Sequence, residues 1–249
     1  MDLVNKTPIR YLSSGKLGDF IHQLSIINER HIQTGQKGIL YITEALEGFS
    51  FGLQKVYDDT KSFVLQLPYI EDYQIHRGEQ TDVCLSSWRR SHLLFRVNWH
   101  HIFQNIYNVN WGSSPWLFGG ENPRFRGKTL FSCSTYEPRY PRLINFKKLF
   151  ETIGYDNIMF ITNNESEYDN FTMKTGEMLD LFVPKTIDEF ITAVNSCDHF
   201  IGNLSSPLTY AFGLHKKCTV LLAPNNIDNY NFINLEEHLP YINFMMQNE

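Results

Sequence analysis

Three short polar segments of the 249-residue chain hold the side chains best suited to chemistry. The first, Gly15-Lys16-Leu17-Gly18-Asp19, places a carboxylate beside two glycines. Glycines at such a turn let a ligand approach the backbone, and a carboxylate within hydrogen-bond reach of a hydroxyl can take its proton. The plainer alternative is that Asp19 caps the helix that follows and the glycines only permit the turn. The second segment, Ser132 to Arg142, combines the hydroxyls of Ser132, Ser134 and Thr135 with Arg139 and Arg142. A guanidinium is a planar fork of donors that matches phosphate oxygens, although loop arginines are as readily solvated. The third, Gly202-Asn203-Leu204-Ser205-Ser206-Pro207, puts Ser-Pro at a helix entrance. Free backbone N–H groups, a helix dipole and hydroxyls suit a diphosphate there, and an ordinary N-cap with Pro in the first turn fits equally well. Arg89 and Arg90, in Ser87-Trp88-Arg89-Arg90-Ser91, raise the same possibility with less support.

The elements around these segments follow from periodicity. Ile9 to Leu12 reads as a strand entering the first turn. Phe20, Leu24, Ile27 and Ile32 recur at helical spacing, and Gly38 to Thr43 reads as a second strand, giving a βαβ opening. Strands are also expected at Phe63 to Leu67 and Val83 to Leu85, and a helix from Asn98 to Val109. The breaker-rich stretch Gly119 to Gly127 is the best interdomain linker, so domains are expected at 1–122 and 123–249. Beyond it, strands at Thr129 to Cys133, Ile158 to Thr162, Leu179 to Val183, His199 to Ile201 and Cys218 to Leu222 alternate with helical segments. That is the pattern of a helix-covered parallel sheet, Rossmann-like in class. Thr186-Ile187-Asp188-Glu189 is a capping box opening an apolar helix face. In such sheets ligands bind beyond the carboxyl ends of the strands, where all three polar segments fall.

Several functions are excluded or disfavoured. Lys and Arg number 22 against 27 Asp and Glu, a balance that disfavours a nucleic-acid partner. Met1 to Arg10 lacks the apolar core of a secretory signal and no apolar run is long enough to span a bilayer, so a cytoplasmic location is expected. Cys84, Cys133, Cys197 and Cys218 show no C-x-x-C spacing and read as buried free thiols. Adjacent His100 and His101 do not share a helix face and have no acidic ligand spaced to join them in a metal site. P-loop, D-x-D, G-x-S-x-G and G-x-G-x-x-G spacings are all missing, the last arguing against a dinucleotide oxidoreductase.

In order along the chain, the segments are similar to those of one family. Lys16-Leu17-Gly18-Asp19-Phe20-Ile21-His22-Gln23-Leu24 resembles the N-terminal "LGD" turn of the heptosyltransferase-like glycosyltransferases of family nine. The segment from Phe200 to Gly213 resembles that family's G-N-D-S-G-P-x-H donor-diphosphate segment, and Arg139-Tyr140-Pro141 its K-R-W-P segment. Leu204, Ser206 and Thr209 stand where the family has Asp, Gly and His. The resemblance implies a GT-B-like α/β architecture, two Rossmann-like domains facing a cleft. It implies inverting, metal-independent sugar transfer from a nucleotide-sugar donor to a hydroxyl of a glycan, protein or lipid-linked acceptor. Asp19 would be the catalytic base, and Gly18, Ser134, Arg139, Arg142, Asn203, Ser205, Ser206 and Pro207 would contact the donor, with no cofactor or metal. The competing expectation is an inactive relative that binds a nucleotide-sugar or glycan without turning it over.

Overall fold

The computed structural model describes residues 6–224, 226–232 and 234–245, so residues 1–5 of the Met1 to Arg10 stretch lie outside it. Its contacts divide the chain into two compact units, Met1–Trp116 and Leu117–Glu249. The division falls upstream of residues 119–127, which pack onto the second unit. There the Asn195 amide donates to the Gly119 and Gly120 carbonyls, the Asn122 N–H donates to Ser196 Oγ at 2.7 Å, and Phe125 is buried.

In the first unit β1 (Ile9–Ser13) leads into α1 (Leu17–Thr34), then β2 (Gly38–Ile42), α2 (Leu53–Leu65), β3 (Ile70–Ile75), β4 (Val83–Cys84) and α3 (Trp99–Tyr107). The strands are parallel in the order β3-β2-β1-β4. From Phe20 to Glu29 every residue of α1 is buried, which requires its polar members to find partners inside the protein. The helix stops at Gly35, whose left-handed φ of 72° returns an N–H to the His31 carbonyl. The fourth residue of the expected apolar series, Ile32, is instead exposed because this last turn emerges from the core.

The expected strand at Phe63 to Leu67 is the end of a helix. Val56, Thr60, Phe63 and Val64 are buried at spacings of four, three and one, a helical face that the apolar run Phe63-Val64-Leu65 disguised. The expected helix near Asn98 is present, with the Asn98 side chain capping the His101 N–H at 3.2 Å.

The second unit runs β5 (Thr129–Ser132), α4 (Phe146–Ile153), β6 (Ile158–Ile161), α5 (Glu165–Thr175), β7 (Asp180–Phe182), α6 (Ile187–Ser196), β8 (His199–Asn203), α7 (Ser206–Gly213), β9 (Cys218–Leu221) and β10 (Ile242–Met245). All pairings are parallel, in the order β10-β9-β8-β5-β6-β7, the order of a dinucleotide-type Rossmann sheet. All five expected strands are present within a residue or two at most ends, and β10 is additional. The Thr186 capping box forms as expected, with Glu189 N–H donating to Thr186 Oγ1 at 3.1 Å and Lys185 N–H to the Glu189 carboxylate at 2.7 Å. Phe131 of β5 centres the core, its ring 5.1 to 5.9 Å from those of Phe146, Phe150, Phe160 and Phe171. No described helix is long and apolar enough to cross a membrane.

In both units the chain builds outward on one side of its first strand, then returns to the other side. That reversal creates a switch point between β1 and β4 and a second between β5 and β8. Diverging loops leave a crevice at the carboxyl end of such a pair. The three polar segments occupy these two places.

Candidate functional site

At the first switch point Ser13, Ser14, Gln23 and Ser86 form a buried network. Ser13 Oγ donates to Gln23 Oε1 at 2.6 Å, Gln23 Nε2 donates to the Ser14 carbonyl at 3.2 Å, and the Ser14 and Ser86 hydroxyls are 2.9 Å apart. This fixes the chain leaving β1. Gly15 then turns with φ 110°, and a Cβ there would lie 2.9 Å from Arg89 Cζ, so no larger residue fits both the conformation and the space.

Helix α1 begins directly afterwards, with Asp19 in its first turn. Its N-cap is Lys16, which makes no side-chain cap, and Asp19 turns to Arg89 instead: Arg89 Nη2 donates to Asp19 Oδ2 at 2.7 Å. The same guanidinium pairs through Nε with the Glu47 carboxylate and points Nη1 at the Ser14 carbonyl 3.5 Å away. It lies 4.2 Å over the Trp88 ring, so an aromatic face, two carboxylates and a carbonyl fix one cation.

Three residues further along α1, His22 is fully enclosed between Trp99 and Trp111, with ring centroids 5.6 and 5.4 Å away. Burial pushes its pKa down to about 3, so it is a neutral packing group.

At the second switch point Asn203 ends β8 with its side chain fully buried. Its Oδ1 accepts from the Ser134 N–H at 2.9 Å, and its Nδ2 donates to the Ser134 and Arg139 carbonyls at 2.8 and 3.0 Å. One amide therefore clamps the whole loop after β5. Asn203 is thus spent on that loop, its amide bonded to Ser134 and Arg139. Gly202 is required beside it, since a Cβ would lie 3.0 Å from the Ser132 carbonyl oxygen.

Arg139 projects from this loop and donates through Nε and Nη2 to Asp228 Oδ2 at 3.1 and 3.0 Å, with about a third of its side chain still exposed. Arg142 pairs with Glu137 at 2.5 Å, and Lys174 donates to the other Glu137 oxygen. That hydrogen bond from Lys174, with the charge of Arg142, holds the Glu137 carboxyl below its ordinary range.

Ser205 stands at the N-cap of α7, but its hydroxyl donates to the Asn203 carbonyl at 3.2 Å rather than capping the helix. Ser206 is half-buried, and Pro207 removes one donor from the first turn. The altered positions are filled quietly: Leu204 is in the core, and Thr209 Oγ1 donates to the Ser206 carbonyl at 2.6 Å.

The structure thus gathers Ser134, Arg139, Asn203, Ser205, Ser206 and Pro207 around the second switch point, while Arg142, on the same loop, turns its mostly exposed side chain to Glu137. Gly18 and Asp19 lie together at the first, with Gly18 already helical. Sequence reasoning ranked Arg89 low and did not single out Glu47, Asp228 or Glu167. Glu167 accepts from Thr162 Oγ1 at 3.0 Å, and burial raises its carboxyl above the ordinary range. Arg89, Glu47 and Asp228 each lie far along the chain from the group they meet, and pairwise sequence patterns carry no such signal, whereas Glu167 meets a hydroxyl only five residues away.

The thiols are free, and three of the four are buried as expected. Cys133, Cys197 and Cys218 are buried and Cys84 is half-buried, and burial raises Cys197 to about 11. The side chain of His100 meets the Trp111 carbonyl at 3.1 Å. Among the described residues no three His, Cys, Asp or Glu side chains converge as metal ligands.

No family model and no curated protein matches the sequence. Solved structures do match. E. coli heptosyltransferase WaaC with ADP aligns at a TM-score of 0.58 and 10% identity, over 94% of this chain and 99% of that one. The glycosyl transferase family 9 structure from Veillonella parvula aligns at 0.60 and 15% identity, over 100% and 90%. E. coli ADP-heptose lps heptosyltransferase II aligns at 0.56 and 11% identity, over 96% and 90%. The chain therefore has the two-unit α/β fold of the GT-B glycosyltransferases.

Proposed function

We propose that this protein is a glycosyltransferase that moves a sugar from a nucleotide-sugar donor to an acceptor hydroxyl, with inversion and without a metal ion. The observation that carries the reading is Asp19, held at the mouth of the first switch point on a fold shared with heptosyltransferases. In this reading the first unit activates the acceptor and the second holds the donor.

Asp19 takes the proton of the acceptor hydroxyl as its oxygen attacks the anomeric carbon. The bond to the donor's diphosphate oxygen breaks, and its electron pair leaves on the nucleoside diphosphate. Negative charge grows on that group, which favours fixed donors at the place where it develops. Arg139, the hydroxyl of Ser134 and the first turn of α7 supply them, and Ser205 joins by turning its hydroxyl from the Asn203 carbonyl to the diphosphate. An incoming diphosphate takes the place of Asp228 at the Arg139 guanidinium.

ADP-heptose is the first donor to test, on the strength of the structures that share the fold. The measurement is ADP release from ADP-heptose, with glycan or lipid-linked acceptors, by wild type and Asp19→Asn. Loss of a positioned general base lowers the rate by about 10²- to 10⁴-fold. An Asp19→Asn variant at the full rate would remove Asp19 from the mechanism.

A further inference from the structure

The Asp19 carboxylate does not stand alone in its crevice. Its partner Arg89 is only one-fifth exposed and is fixed from four directions: Asp19, Glu47, the Ser14 carbonyl and the Trp88 ring. Gly15 leaves the space that the guanidinium fills, and the Gly15 N–H is tied to the Glu47 carbonyl at 3.2 Å. The loop carrying Glu47 and the turn carrying Asp19 are thus joined through both backbone and cation. One positive charge is divided between two carboxylates, so a net negative charge remains on the three.

We propose that Arg89 is the positioning residue of Asp19, and that Glu47, by sharing the same guanidinium, sets how strongly Asp19 holds a proton. The inference rests on Asp19 being the base. A lone Asp19–Arg89 pair would bind the carboxylate's charge tightly and leave it a poor base, whereas Asp19 without Arg89 would be both loosely aimed and more easily protonated. Glu47 draws off part of the cation's field and keeps the carboxylate ionised but receptive. The other ionisable groups on the same turn and helix are Lys16 at the N-cap, the neutral His22 and, two turns or more further along, Glu29, Arg30 and His31.

The two variants of this triad have opposite signatures, which separates proton affinity from folding. The full-length protein is labelled with carboxyl-¹³C aspartate, the Asp19 resonance is identified by its loss in Asp19→Asn, and its titration midpoint is followed in wild type, Arg89→Gln and Glu47→Gln. Arg89→Gln moves the midpoint up by about one pH unit, the lower end of the effect of a neighbouring arginine, since the pair is partly exposed. Glu47→Gln moves it down by a smaller amount. Midpoints that coincide with wild type in a folded Arg89→Gln protein overturn the proposal. Should Arg89→Gln fail to fold, Glu47→Gln decides alone: a downward shift supports it, and no shift or an upward one overturns it. Full ADP-heptose turnover by Asp19→Asn would defeat the base reading while leaving the titration result standing, so the two failures are distinguishable.

Discussion

At the β1–β4 switch point the chain is held by side chains bonded to one another, Ser13 to Gln23 and Ser14 to Ser86, while at β5–β8 the single amide of Asn203 bonds three backbone groups. Their charges differ too. Asp19 and Glu47 outnumber Arg89 in the first cluster, whereas in the second Arg139, Arg142 and Lys174 meet Glu137, Asp228 and, through Ser134, Glu167, whose carboxyl burial makes harder to ionise. The same strand topology thus carries a surplus of carboxylates in one unit and a set of loop cations in the other. Fold alone does not decide which; the charged residues on the loops do.

The largest expected effect sharpens the contrast in how the two turns are held. Asn203→Ala removes three hydrogen bonds and orphans buried backbone groups, and should cost about 3 kcal/mol in urea unfolding. Ser86→Ala, in a network with other members to compensate, should cost about 1 kcal/mol. Equal losses would erase the distinction.

Acid separates the units next. His22 in the folded first unit has its pKa lowered to about 3, against 6.5 when unfolded. Its contribution to stability is complete above pH 6.5 and is lost progressively as the pH falls toward 3. At pH 5 the loss should be about 2 kcal/mol relative to pH 7, by linkage, and His22→Phe should flatten that dependence. In the second unit Glu167 works oppositely, since its raised carboxyl pKa favours the folded state in acid. His199 in the second unit is also lowered by burial, so its contribution fades in acid and opposes that of Glu167. Smallest is the effect of Asp228→Asn, which frees a partly exposed Arg139 and should tighten ADP binding a few-fold, an exposed pair being worth about 0 to 1 kcal/mol.

Much of this arrangement was legible because the sequence marks its element boundaries. The β5 to β9 strands are apolar runs between breakers, and Thr186 to Glu189 names a helix start. Asp19 and Ser205 could be placed at their turns for the same reason. What escaped was tertiary. Phe63 and Val64 look like a strand until Val56 and Thr60 show the helical face, and β10 is too short and too isolated for its pattern to speak. Glu47 and Asp228 read as surface charges and Arg89 as a lesser phosphate candidate, since their meaning comes from partners 42 to 89 residues away. The hydroxyl of Ser205 and the amide of Asn203 were placed correctly in the chain, but whether each faces a ligand or its own backbone is decided by packing.

If the labour is divided as proposed, the switch point bearing Arg139 holds the donor and the one bearing Asp19 activates the acceptor. Calorimetric titration of ADP into wild type, Arg139→Gln and Asp19→Asn tests it most directly. Arg139→Gln should weaken ADP binding by about tenfold or more, the worth of charge-assisted hydrogen bonds, while Asp19→Asn should bind as wild type does. Asp19→Asn losing as much affinity as Arg139→Gln, or Arg139→Gln losing none, would contradict it.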